Sequence, residues 1–147
     1  MSGFPVDTYF TIKSQKNASL LTVKSGSSDA AANVVISAQN DGDDIDSQLW
    51  TYDDGFITNK KSGLVLDVAG GDLKSEANVI QYDRKLTMTL NQRFGHRDGF
   101  IYARADPRLV LDIKGGEDKD NTSVILYKRK TDIDNANQQW KVEPYEG

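Results

Sequence analysis

A chain of 147 residues, 37% hydrophobic and 27% charged, has enough apolar material for one packed core, and at this length folding buries about 70% of the unfolded surface. Its formal charge of −4 argues against a nucleic-acid partner, which needs a basic stripe to displace counterions, and there is no run of about 18 apolar residues to insert into a membrane. Cysteine is absent and His96 is the only histidine, which excludes disulfide staples, thiolate chemistry and the common zinc ligand sets.

The opening Met1-Ser2-Gly3-Phe4-Pro5-Val6-Asp7 has neither a basic start nor an apolar core, so the protein is expected to be cytoplasmic or secreted without a visible signal peptide. Short runs with strand character follow, bounded by Gly, Asn, Asp, Ser and Lys clusters. The first four are Phe10-Thr11-Ile12-Lys13, Leu20-Leu21-Thr22-Val23, Val34-Val35-Ile36-Ser37 and Gln48-Leu49-Trp50-Thr51-Tyr52. Between them, Asp29-Ala30-Ala31-Ala32 has the composition of a single helical turn, and the acidic Asp41-Gly42-Asp43-Asp44-Ile45-Asp46 reads as a solvated loop rather than a calcium loop, lacking the EF-hand glycine and glutamate. The next four are Gly55-Phe56-Ile57-Thr58, Leu64-Val65-Leu66-Asp67-Val68, Val79-Ile80-Gln81-Tyr82 and Gln92-Arg93-Phe94. The last four are Phe100-Ile101-Tyr102-Ala103, Leu109-Val110-Leu111-Asp112-Ile113, Val124-Ile125-Leu126-Tyr127 and Gln139-Trp140-Lys141-Val142.

These runs fall into register at a spacing of 45 residues: Leu21-Thr22-Val23, Leu66-Asp67-Val68 and Leu111-Asp112-Ile113 share one frame. Such a period marks a supersecondary unit that cannot bury its apolar face alone. The expected fold is therefore all-β, with about twelve strands in three groups of four, closed around a threefold axis so that no long sheet edge stays open. The whole chain, 1–147, reads as one domain with repeats at about 7–53, 54–97 and 98–144.

Each repeat ends in a related cluster: Gln48-Leu49-Trp50, Gln92-Arg93-Phe94 and Gln138-Gln139-Trp140. With the period and the Leu-Asp-Val triplets, these endings resemble the QxW repeats of the ricin B-type lectin family, over about residues 7–144. That resemblance implies a β-trefoil of three four-stranded repeats with pseudo-threefold symmetry. It also implies that Trp50, Phe94 and Trp140 pack in the shared core, with Gln48, Gln92 and Gln138 bonding to backbone. A large ring burying about 150–250 Å² suits such a point of convergence. A fainter resemblance is to ricin-like fungal toxins of the mucoricin type.

What differs between repeats points to function. A sugar site needs a flat aromatic face for the C–H side of the ring and fixed acceptors and donors for its hydroxyls; a carboxylate suits vicinal hydroxyls because each oxygen accepts charge-assisted hydrogen bonds. The second repeat offers Asp67, Tyr82 and Asn91, and the third offers Asp112, Tyr127 and Asn137. The first has Thr22, Ser37 and Ser47 in the same frame, without acid, ring or amide. A structural motif is expected in every copy; joint loss of all three groups is what a degenerate site looks like. The alternatives for single residues are an aspartate capping the Gly-Gly turn and a tyrosine half-buried on a strand.

In the resembled lectins the same trio binds the sugar, which carries over to these two sets, and Gly70 and Gly115 match a loop glycine lying beside it. The resemblance implies galactose- or N-acetylgalactosamine-type glycans or glycoproteins as partners, with no cofactor. One departure bears on the sugar: galactose-binding members often carry a Gln two residues before the aromatic platform, and here Ile80 and Ile125 stand there.

A binding role fits better than an enzymatic one, so no catalytic residue is assigned. Asp67 and Asp112 lie on different repeats and are not expected to converge as the carboxyl pair of a glycosidase must. The toxin resemblance brings one enzymatic alternative, adenine removal from ribosomal RNA, which in such toxins normally resides in a separate chain or domain. A third reading is a protein-binding trefoil without sugar activity.

Overall fold

The computed structural model describes residues 3–146. Twelve strands run in three successive sets of four: β1 (Phe10–Ser14), β2 (Leu20–Val23), β3 (Val34–Ser37) and β4 (Trp50–Asp53); β5 (Phe56–Asn59), β6 (Val65–Val68), β7 (Val79–Tyr82) and β8 (Phe94–Arg97); β9 (Phe100–Ala103), β10 (Asp106–Ile113), β11 (Thr122–Lys128) and β12 (Trp140–Pro144). The only helical elements among the described residues are short 3-10 turns. The fold is an all-β trefoil.

Alternation along each strand explains the assembly. Strand side chains point to opposite faces, so Phe10 and Ile12 of β1, Leu21 and Val23 of β2, and Val34 and Ile36 of β3 all enter the common core. The same residues recur one repeat later as Leu66, Val68 and Val79, and again as Leu111, Ile113, Val124 and Leu126. The first strand of the chain pairs with the last along Phe10–Ser14 and Trp140–Pro144, and with β4 at Phe10 and Trp50. Equivalent seams are closed by Phe94 N–H donating to Gly55 O at 2.8 Å and Trp140 N–H to Gly99 O at 2.8 Å. Closure leaves β1 no free edge.

The hairpins β2–β3, β6–β7 and β10–β11 cap one end of this barrel and meet through three matching bonds. Ala31 N–H donates to Gln81 O at 2.8 Å, Glu76 N–H to Leu126 O at 2.7 Å, and Asn121 N–H to Ile36 O at 2.8 Å. The three donors have positive φ, +69°, +75° and +70°. This overturns the expected helical turn at 29–32: left-handed backbone at Ala31 is incompatible with a helix, and the inter-repeat bond outweighs alanine's local preference. The acidic stretch at 41–46 also departs from a plain solvated loop. It lies in a 3-10 turn over Gly42–Gln48, anchored by Ile45, which is buried.

Trp50, Phe94 and Trp140 are buried. The indole N–H groups of Trp50 and Trp140 donate to Leu21 O and Leu111 O, each at 3.1 Å. Phe94 fills the matching place without a donor.

Candidate functional site

Hairpin register decides which side chains share a face. In the second repeat Asp67 lies opposite Ile80, and Val65 opposite Tyr82. In the third Asp112 lies opposite Ile125, and Val110 opposite Tyr127. Ring and acid therefore stand on one side of each hairpin. Gln81 faces the other way, fully buried, donating to the carbonyls of Ser27 and Asp29 at 3.1 and 2.8 Å.

Each closing Gln holds its aspartate. Gln92 Nε2 donates to Asp67 Oδ2 and to Asp83 O, both at 2.9 Å, while its Oε1 accepts Lys85 N–H at 3.0 Å. Gln138 does the same, donating to Asp112 Oδ2 at 2.9 Å and Lys128 O at 3.0 Å and accepting Lys130 N–H at 2.9 Å. The Gln is thus more than the backbone tie expected from the sequence: it fixes the carboxylate. Neither aspartate hydrogen-bonds the following Gly-Gly turn, so the turn-capping role does not describe them. Gly70 and Gly115 occupy the left-handed region at φ +81° and +68°, where the first repeat has Ser25 at +58°.

The two sites differ in what remains free. Asn91 Nδ2 donates to Asp67 Oδ1 at 3.2 Å and to Val68 O at 3.1 Å, so both oxygens of Asp67 already have a partner. Asn137 Nδ2 donates instead to Ile113 O at 3.3 Å. Asp112 Oδ1 accepts no hydrogen bond from a described residue, and no fully buried polar side-chain atom lacks a partner, so this oxygen opens to the adjacent cavity. That cavity, about 890 Å³, gathers Asp112, Gly115, Tyr127 and Asn137. In the second repeat Asn91 lines a cavity of about 710 Å³ that does not include Asp67, Gly70 or Tyr82; the Tyr82 ring, 42% exposed, stands outside it.

Burial pushes the carboxyls of Asp67 and Asp112 above the usual aspartate range, against the pull of the Gln donors and of Lys85 or Lys130. Both lysines lie beside the acid, ring and amide read from the sequence, which did not include them. Lys85 Nζ donates to Asn91 Oδ1 at 2.8 Å and Lys130 Nζ to Asn137 Oδ1 at 2.9 Å. The first repeat has Asn40 in that place, its N–H donating to Gln48 Oε1 at 2.8 Å. The same comparison between copies that singled out the aspartates would have found them. Glu76 and Asn78 of the second repeat and Lys16 of the first also wall the third repeat's cavity; no pattern within one repeat signals that.

The first repeat keeps only a smaller hollow of about 440 Å³, lined by Thr22, Ser37 and Ser47 among others. Its Thr22 hydroxyl is spent on Leu20 O at 2.7 Å while accepting from Gln48 at 3.2 Å. Asp44, Asp46 and Lys61 also line the hollow, but no aromatic ring does. Among the described residues no group of three His, Asp or Glu side chains is arranged to hold a metal ion.

The family model of the ricin-type β-trefoil lectin domain matches residues 8–143. The chain belongs to this family. As a ricin-type lectin domain it is a carbohydrate-binding protein. It is similar to mucoricin of Rhizopus delemar, 44% identical over 53 residues, which are 36% of this chain and 35% of that protein; the match thus spans about a third of that relative. Among solved structures, the mdaA-1 domain superposes with a TM-score of 0.85 at 29% identity, covering 96% of this chain and 91% of that one. The C-half of an earthworm R-type lectin, solved in complex with GalNAc, shares the fold at a TM-score of 0.80 and 19% identity over 94% and 99% of the two chains.

The free and engaged oxygens make a test of this ricin-type geometry. In Asp67→Asn the new amide nitrogen must face a pinned donor, either Gln92 Nε2 or Asn91 Nδ2, and the variant is expected to lose about 1–3 kcal/mol. In Asp112→Asn the amide oxygen takes the Gln138 bond and the nitrogen faces the cavity, so stability holds or rises. Thermal melts at neutral pH compare the two. Equal destabilisation would contradict the assigned hydrogen bonding.

Proposed function

We propose that this lectin binds terminal galactose or N-acetylgalactosamine groups through the second and third repeats, the first being degenerate. The observation that carries the reading is the third repeat's open acceptor, Asp112 Oδ1, beside a partly exposed Tyr127 ring and the Asn137–Lys130 pair. A sugar laid on the ring donates a hydroxyl to that oxygen. The second amide hydrogen of Asn137 and the unused ammonium hydrogens of Lys130 donate to a neighbouring hydroxyl. Asp67 and Asn91 provide a similar set in the second repeat, with lone pairs remaining on both carboxylate oxygens. The galactose class comes from membership of the ricin-type family; Ile80 and Ile125 make it the point to test first.

A single site of this size is expected to bind at about millimolar Kd, about −4 kcal/mol. Two sites on different repeats face different directions, so they crosslink rather than chelate. A glycan array on the wild type and on Asp67→Ala and Asp112→Ala is the test. Galactose-type hits should weaken in each variant, and red-cell agglutination should survive in neither. An array without hits would instead favour a protein-binding trefoil.

A further inference from the structure

The loop between Lys85 and Asn91 differs in kind from its counterparts. It reads Leu86-Thr87-Met88-Thr89-Leu90, without charge, where the first repeat has Asp41, Asp43, Asp44 and Asp46 and the third has Asp132 and Asp134. Its three large side chains are turned outward: Leu86 is 97% exposed, Met88 86% and Leu90 65%. Met88 also holds a left-handed backbone at φ +53°, a conformation that costs a non-glycine residue about 1 kcal/mol or more. Ile133 is likewise exposed in the third repeat, but it stands alone between two aspartates. Isolated apolar side chains on a surface need no explanation; a contiguous cluster beside a binding site does.

These side chains line one cavity with Lys85 and Asn91, the pair that hydrogen-bonds in the candidate sugar site. Asn91, which also donates to Asp67, is the side chain this cavity shares with the candidate sugar set, so an occupant here abuts a sugar on Asp67 and Asn91. The side chains of Leu86, Met88 and Leu90 suit an apolar, uncharged segment. We infer that the second repeat takes a galactose-headed glycolipid, its sugar on Asp67 and Asn91 and the first segment of its aliphatic chain on Leu86, Met88 and Leu90. The third repeat, ringed by Lys16, Glu76, Lys114 and Asp134, takes the sugar without such an aglycone. The inference rests on the sugar reading of the second repeat.

The test isolates that repeat in the Asp112→Ala background and compares methyl with hexyl β-galactoside by calorimetry, below micellar concentration. Hexyl should bind about tenfold or more tighter, the effect of burying roughly two methylenes. Leu86→Ser/Met88→Ser/Leu90→Ser should erase that difference while leaving methyl galactoside affinity unchanged. On phosphatidylcholine vesicles, binding should require added galactosylceramide, Asp67 and the intact loop. Equal affinity for the two glycosides overturns the glycolipid assignment and leaves the sugar site standing. Failure of both to bind overturns the sugar site in this repeat and the glycolipid with it. Concentration-dependent dimerisation that the triple serine variant abolishes would assign the loop to a second copy of this chain and overturn the inference.

Discussion

Asp67→Ala combined with Asp112→Ala should abolish retention on a galactose resin while shifting the melting midpoint little. Truncation frees one amide hydrogen each of Gln92, Gln138 and Asn91, while the other hydrogen of each keeps its bond to Asp83 O, Lys128 O or Val68 O. Removing the acids also removes the cost of burying them, so the net change in stability is expected within about 1 kcal/mol. Binding has no such offset, because each acid, ring and amide set loses its one carboxylate. Retention by the double variant would refute the site.

The pH dependence follows from the same burial. The folded state holds both carboxyls above the ordinary aspartate range. The stabilisation these groups contribute is then complete below their unfolded pKa and lost as pH rises through the raised folded value. Binding runs the other way, since a protonated Asp112 loses its charge-assisted acceptor. Sugar affinity should therefore begin to fall, on acidification, at a higher pH than an exposed aspartate would give. Asp54 and Asp106, held low by Arg93 and Arg108, titrate in the opposite direction. The stability effect should therefore be read as the difference between wild type and the double alanine variant.

Trp140→Ala should cost about 3–5 kcal/mol, a large share of the roughly 5–15 kcal/mol that holds a domain folded. The ring is buried at the seam between the third and first repeats, and its N–H satisfies Leu111 O beside Asp112. Truncation opens a cavity, leaves that carbonyl unpaired and loosens β10 beneath the proposed sugar site. Trp140→Phe should be milder, about 1–3 kcal/mol, because Phe94 shows that a ring without a donor fits the equivalent place. Urea unfolding monitored by circular dichroism measures both; an alanine variant within 1 kcal/mol of wild type would contradict the core role.

Much of the architecture was legible in the residues. Strand runs recur at 45-residue spacing with aromatic endings, and the pattern of buried Leu, Val and Ile positions is local, so each repeat states it separately. The contrast between Thr22 and the two aspartates was legible for the same reason: aligned copies expose a difference that one copy cannot. Lys85 and Lys130 were readable by that rule as well. The helical turn at 29–32 was misread because Ala31 answers to Gln81 in the next repeat, not to its own neighbours.

Side-chain alternation and repeat period are properties of nearby residues, and these alone determined the all-β class, the three-part plan and the contrast between the first repeat and the other two. Closure around the threefold axis joins groups far apart in the chain. Only the tertiary structure could decide that Glu76 and Lys16 wall the third repeat's cavity, that Asp112 keeps an open oxygen where Asp67 does not, and that Leu86, Met88 and Leu90 face outward. The wall of that cavity depends on which neighbour arrives across a seam. That is fixed by packing three hairpins together and not by the order of residues within any one of them.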